Sequence, residues 1–354
     1  MEKKLFSLIK EDIAIYKEEF EEFLPERIFD FHVHTWKKDF LKIPITFERI
    51  KQNPILDQGI GDFSVRDFDL ITKKLFPINK YHGLFFGLPL KEVDLKENND
   101  YVAEICRKKR TYGLYVPEPD LEEIPIDYFE DKFIGFKPYL DLVPPGMLEG
   151  SSNLDVSIFN FISKKVLEYS DEHGLVLLLH IPREGRLGDK KNIEEITTIS
   201  QEYPNIKLIL AHAGRSYCYN DIDKHIEHIV DLDNLYIDTA MINESSVIRL
   251  LLEKLGPQRV IYGSDLPVSA FRGKNIDIDN KHYFVTDTKK SWSLTDEEIG
   301  SSDMTLFIYE TIRAVKSAAT DLALNREEVK SIFFLNAVRL IDSITGSRLE
   351  DRSW

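Results

Sequence analysis

The sequence predicts an α/β protein, a (β/α)8 TIM barrel with an N-terminal helix and C-terminal helices. Three observations carry that prediction. Eight segments between Ile28 and Asp265 read as strands. Stretches of helical composition alternate with them, the pattern of parallel strands joined by crossover helices. The segments that bear metal-ligand residue types bear them where their apolar runs stop, and barrels of this class build their sites at the carboxyl ends of strands.

Glu2 to Leu24 places Leu5, Leu8, Ile9, Ile13, Tyr16 and Phe20 at helical spacing between charges and ends at Pro25, which predicts an amphipathic helix before the first strand. The first strand is Ile28-Phe29-Asp30-Phe31-His32-Val33-His34. Successive side chains alternate across a strand, so Asp30, His32 and His34 are expected on one face and Phe29, Phe31 and Val33 on an apolar back. Gly83 to Leu88, Tyr112 to Val116 and Phe133 to Tyr139 follow. Leu175 to Leu179 runs into His180, and Ile206 to Ala211 runs into His212. Leu235 to Thr239 is the seventh strand, and Val260-Ile261-Tyr262-Gly263-Ser264-Asp265 is the eighth. Continuous apolar runs of this kind suit strands buried on both faces. Phe159 to His173 and Ile193 to Tyr203 read as helices between strands, and Met304 to Leu324 and Arg326 to Ile344 as closing helices. An open doubly wound sheet would gather its ligand at one crevice and would not need donors from strands one, five, six and eight.

The 354 residues, 43% hydrophobic, suffice for a large core. Without internal repeat or linker they are read as a single domain over 1–354, with a barrel core at about 26–345. The net charge of -15, from 61 acidic and 46 basic residues, disfavours a nucleic-acid partner. Cys106 and Cys218 are too few for a disulfide framework or a thiolate zinc site. Met1 to Phe20 lacks the apolar core of a signal peptide, and the longest apolar run falls far below the ~20 residues that span a bilayer. A cytoplasmic protein without membrane partner is expected.

Two long connections, Thr35 to Asp62 and Ser269 to Ser293, interrupt the regular spacing and are expected to act as lids or substrate walls. His282, in the second, is kept as a pocket candidate. The other histidines have blander readings: His225 and His228 on an acidic helical surface, His173 at a helix end, and His82 just before strand two. No phosphate loop and no Ser-His-Asp elbow is visible.

Asp30-Phe31-His32-Val33-His34, Leu179-His180, Ala211-His212-Ala213-Gly214, Tyr262-Gly263-Ser264-Asp265-Leu266-Pro267 and Phe334-Leu335-Asn336-Ala337-Val338-Arg339-Leu340 together resemble the amidohydrolase superfamily. Within it they resemble the amidohydrolase-related branch of metal-dependent hydrolases and decarboxylases, over nearly the whole chain from Phe29 to about Ile344. The resemblance implies that His32, His34, His180 and Asp265 bind a divalent metal, and that His212 is a second-metal ligand or a catalytic acid/base. The chemistry of the donors agrees: imidazoles plus one carboxylate suit Zn2+, and accept Mn2+ or Fe2+, with a position left for water or substrate. Asp265 is then the expected proton carrier.

Lys137, in Ile134-Gly135-Phe136-Lys137-Pro138-Tyr139, should point into the barrel mouth. In several binuclear relatives a lysine on this strand is carboxylated and bridges two metals; as an ammonium it would instead bind a substrate carboxylate beside one ion. Substrate binding is preferred. Arg183 and Arg215 each follow a ligand-type histidine by three residues and are expected to grip the same anionic group, with Arg272 a weaker candidate. Nuclease-type relatives usually place a glutamate on strand four, where this chain has Lys137, and a scaffold that had lost catalysis would normally lack a ligand. The expected activity is metal-dependent hydrolysis of an amide, lactone or ester bond in a small carboxylated molecule. Non-oxidative decarboxylation is the alternative. A homodimer is in keeping with such relatives.

Overall fold

The computed structural model describes residues 10–57, 59–150, 152, 154–279, 281–300 and 304–349. Buried apolar runs pair side by side into eight parallel strands, β1 Arg27–His34, β2 Lys80–Phe86, β3 Gly113–Tyr115, β4 Phe133–Phe136, β5 Val176–Leu179, β6 Lys207–Leu210, β7 Leu235–Asp238 and β8 Val260–Ile261. Their order in the sheet is their order in sequence, the arrangement right-handed crossovers produce. β8 is short, so the residues after it complete the closure. Phe31 N–H donates to Tyr262 O at 2.9 Å, Asp265 N–H to His32 O at 3.0 Å and His34 N–H to Leu266 O at 2.9 Å. The result is a (β/α)8 barrel.

The first strand departs from simple alternation. The pairing of β1 with β2 shifts register between Asp30 and Val33, and a bulge of this kind changes which face the following residues meet. Asp30 consequently turns away from the histidines. Its carboxylate accepts from Tyr81 Oη at 2.8 Å, from Ser264 N–H at 2.8 Å and from the Ser264 hydroxyl. Phe29 and Phe31 do not form a common back with Val33. They pack with Leu114, Ile134, Leu178 and Ile209 and with Phe334, Val338 and Ile341 near the chain's end, whereas Val33 belongs to the larger cluster that includes the outer helices.

The flanking helices are shorter than the sequence pattern predicts, or interrupted. The N-terminal helix is seen as Lys10–Ile15 followed by a π turn at Tyr16–Phe20, and residues 1–9 of the expected helix lie outside the described residues. At the other end come Phe307–Asp321 and Arg326–Lys330, then a π turn over Ser331–Leu335 that runs into Asn336–Thr345. No helix of the described residues is long and apolar enough to cross a membrane.

Both long connections are structured. The one after β1 folds into short helices, Phe47–Gln52 and Pro54–Asp57 among them. The one after β8 is a small sheet rather than a loop, with β9 Gly273–Ile278 antiparallel to β10 Lys281–Thr286, and β11 Ser293–Thr295 parallel to β10. The two insertions touch: Lys290 Nζ donates to Asp57 O at 2.9 Å and Ser291 Oγ to Lys51 O at 2.6 Å.

Candidate active site

A pocket of about 440 Å³ opens at the carboxyl ends of the strands, and His32, His34, Lys137, His180, His212, Arg215 and Asp265 all line it. Its core is a grouping of His32, His34 and Asp265, whose ligand atoms lie within 4.8 Å of one another. Asp265 Oδ1 is 3.3 Å from His34 Nε2 and 3.5 Å from His32 Nε2.

The ring tautomers follow from what the other nitrogens touch. His32 Nδ1 meets Asp238 Oδ2 at 2.7 Å, His34 Nδ1 meets Gly87 O at 3.4 Å and His212 Nδ1 meets Ala240 O at 3.1 Å. Each of those partners only accepts, so each Nδ1 carries a proton, and in the neutral ring Nε2 keeps its lone pair. Two such lone pairs face one carboxylate oxygen. That contact repels unless positive charge stands between them, either a proton or a metal ion. His32 Nε2 is moreover buried without a hydrogen-bond partner. The donor set therefore fits a divalent cation, and the Asp238–His32 contact is the carboxylate that commonly orients a metal-binding imidazole.

Electrostatics point the same way. Burial alone would raise the Asp265 carboxyl; the pull that holds it down at about 2 comes from positive charge at the facing His34, His32 and His212 imidazoles, the charge that a bound cation would supply in their place. Burial, reinforced by Lys137, pushes His32 well below the ordinary histidine range, and burial with His212 and Arg215 does the same to His180. Lys137 is almost fully buried and its Nζ has no hydrogen-bond partner; burial lowers it to about 8 against the pull of Asp238 and Asp265.

Backbone conformation aims the remaining groups. His212, Ala213, Gly214 and Arg215 have φ values of 54°, 50°, 63° and 60°, a left-handed turn that costs roughly 1–2 kcal/mol per residue other than glycine. Asp238 Oδ1 anchors it by accepting from His212 N–H at 2.6 Å and Ala240 N–H at 3.1 Å. Asp265 is also left-handed, at φ 68°. Just before it Gly263 passes close to β1, where a Cβ would lie 2.9 Å from the His32 Cβ.

The expected residues separate here. His32, His34 and Asp265 converge. His180 lines the pocket with its ring centroid 5.4 Å from that of His212, but its nitrogens join neither the His32, His34 and Asp265 grouping nor a second one of His32, His212 and Asp238. Arg215 Nη1 donates to Ile181 O, Pro182 O and Arg183 O, and burial lowers its pKa from the ordinary value.

Arg183 does not line the pocket. Its guanidinium is held by Glu195, Glu149 and Asn192, because the left-handed backbone at Arg183 turns the side chain toward the following helix, Lys190–Glu202. Arg272 is likewise committed, to both oxygens of Asp12 at 2.8 Å. His82 lies within β2 rather than before it. Asp238 went unforeseen although its strand is, like three others, an apolar run ending in a chemistry-bearing residue. Tyr139, Arg186, Tyr217 and Trp292 also line the pocket, and no period or spacing singles them out.

Fold and site together define a (β/α)8 barrel that gathers metal-ligand side chains at its strand ends. The Amidohydro_2 family model, described as amidohydrolase, matches residues 29–342, so the chain belongs to the amidohydrolase family, within its amidohydrolase-related branch. No curated protein matches it in sequence. Similar solved structures include an amidohydrolase from Burkholderia multivorans with bound zinc, 11% identical, with a TM-score of 0.54, covering 88% of this chain and 98% of that one. A probable 2-pyrone-4,6-dicarboxylic acid hydrolase from Acinetobacter baumannii, with citric acid bound, is 15% identical with a TM-score of 0.53 over 88% of this chain and 98% of its own. A 4-oxalomesaconate hydratase from Rhodopseudomonas palustris is 14% identical with a TM-score of 0.53 over 91% and 99%. At such identities the likeness is one of fold.

Proposed function

We propose that this protein is a metal-dependent hydrolase that opens an amide, lactone or ester bond in a small carboxylated molecule. One observation carries the substrate's charge: among the described residues no carboxylate forms an ion pair with Arg215 or Lys137, yet both cations line the pocket beside His32, His34 and Asp265. Buried cations that no carboxylate pairs directly favour an anionic ligand.

His32, His34 and Asp265, with His180 as the fourth ligand, would hold the ion. Zinc suits this set, and manganese or iron would be accepted by it. When bound, a divalent ion supplies Lewis acidity toward a carbonyl oxygen and acidifies water. Asp265, kept anionic, takes a proton from the attacking water as the new carbon–oxygen bond forms. It returns that proton to the departing nitrogen or oxygen as the old bond breaks. His212, its Nδ1 tied to Ala240 O, offers Nε2 as a second proton acceptor at the same face. Lys137 and Arg215 position the carboxylate.

Non-oxidative decarboxylation at the same residues is the second reading. It is favoured by the compactness of the three-residue grouping, which suits a single ion and leaves Lys137 and His212 for substrate and proton. Turnover of candidate lactones, amides and aryl carboxylates by zinc- or manganese-loaded protein in heavy-oxygen water separates the two. Label in a newly formed carboxyl group supports hydrolysis. Carbon dioxide released with no label in the product replaces it with decarboxylation.

A further inference from the structure

The wall that the insertion after β8 adds to the pocket is not used by the reading above. His282 lies face to face with Tyr217, their centroids 4.6 Å apart and their planes at 25°. Phe284 meets His282 edge-on at 4.4 Å and Trp292 at 5.6 Å. These rings all line the pocket, and they carry two polar atoms without partners: His282 Nε2 and Trp292 Nε1 are buried and hydrogen-bonded to nothing in the protein.

Both atoms are donors. The indole N–H only donates. The imidazole is fixed by Arg186, whose Nη2 stands 3.4 Å from His282 Nδ1. A guanidinium only donates, so Nδ1 accepts and the proton of the neutral ring sits on Nε2. Buried donors are nearly always satisfied, and here the acceptor must come from outside the chain. Its charge can also be read. Both donors are neutral, and among the described residues the guanidinium that touches His282, that of Arg186, is neutralised by an ion pair with Asp221, while Arg215, which also acts on His282, is the cation assigned above to the substrate carboxylate. Stripping water from a second carboxylate to meet neutral N–H groups is costly, whereas a carbonyl loses little.

We propose that His282 and Trp292 form a distal subsite for a neutral oxygen acceptor. The substrate is then a flat, unsaturated or aromatic carboxylate whose far end carries a carbonyl-type oxygen, with its body against the Tyr217, His282 and Phe284 rings. This deepens the proposed function and rests on its carboxylate reading.

The test is calorimetric binding to the zinc-loaded protein, which needs no turnover. The probes are benzoate, 3- and 4-acetylbenzoate, and their isosteres 3- and 4-isopropylbenzoate, which keep the shape and lose the acceptor. At least one acetyl isomer should bind about tenfold more tightly than its isopropyl counterpart. In the double variant His282→Phe, Trp292→Phe that margin should vanish while benzoate affinity stays within about twofold. Should the double variant melt early, Trp292→Phe alone, which keeps an aromatic ring and loses only the N–H, should reduce the margin. His282→Gln, which restores an N–H, should retain part of it. Equal binding of acetyl and isopropyl compounds to the wild type, or a margin that survives both losses, overturns the subsite alone. Failure of every carboxylate to bind, benzoate included, overturns the carboxylate reading and the subsite with it.

Discussion

Asp238 accepts the Nδ1 proton of His32 at 2.7 Å, and its other oxygen accepts the backbone N–H of His212 at 2.6 Å. One carboxylate on β7 thus orients the proposed ligand on β1 and the turn that presents the proposed base after β6. Asp238→Asn should therefore weaken zinc binding about 10–100-fold in a chelator competition, the usual cost of losing a ligand's orienting partner. An unchanged affinity would remove Asp238 from the metal centre.

Arg183 and Arg215, alike in sequence position, should respond differently to replacement by methionine. Arg183→Met leaves the largely buried Glu195 without its cation, while Glu149 keeps Lys191, and should cost about 2–3 kcal/mol in urea unfolding. Arg215→Met removes a cation that burial already disfavours, which offsets the loss of its donation to the Ile181, Pro182 and Arg183 carbonyls, so the cost should stay within about 1 kcal/mol. Benzoate affinity should meanwhile fall at least about tenfold. Equal destabilisation by the two variants would contradict this division of roles.

Gly263→Ala places a methyl 2.9 Å from the His32 Cβ. Overpacking of that kind costs about 1–3 kcal/mol, and the displaced ring is one of the proposed ligands. Melting temperature and zinc affinity should drop together. A variant that melts early but binds zinc normally would show that β1 yields elsewhere.

His82, in β2, titrates far from the pocket's chemistry. Burial, with Arg27, Lys109 and Lys80 nearby, lowers its pKa from 6.5 to about 4. Between those values the unfolded chain binds a proton that the folded one refuses. The stability that depends on a neutral His82 is thus complete above pH 6.5 and is lost as pH falls toward 4. Allowing for partial solvent screening, the loss from pH 7 to pH 5 should be about 1–2 kcal/mol smaller in His82→Gln than in the wild type. Parallel urea titrations at the two pH values measure it, and equal losses would refute it.

Lys137 predicts a metal count. As a free amine beside a compact ligand grouping it calls for one ion per chain, and elemental analysis of protein purified without chelator should find one. Two ions would make Lys137 a carboxylated bridge.

Features that obey a period or end a buried run were legible in the sequence: the eight strands, their order, and the placement of His32, His34, His180, His212 and Asp265 at strand ends. Features set by contacts between distant segments were not. The bulge in β1 has no composition signal, and it is the reason Asp30 leaves the face of the histidines. Arg183 and Arg215 share a spacing, but only tertiary packing delivers Glu195 to one of them. Of the aromatic wall, His282 and the connection that carries it were expected at the pocket, and both line it; Tyr217 and Trp292 join them only where the insertion folds back over the mouth, which alternation rules do not describe.

Two residues suffice for β8, so the barrel's last seam is stitched by Tyr262, Asp265 and Leu266 against β1. The stitch that shuts the cylinder and the carboxylate proposed to grasp the ion are one stretch of chain. Any ion that prefers the shut seam must, by linkage, make the seam harder to open, by an amount that grows with ion concentration above its dissociation constant. Amide protons along Phe31, His34 and Asp265 would then exchange at a rate governed by metal supply, while those of β5 and β6, across the cylinder, keep their own clock.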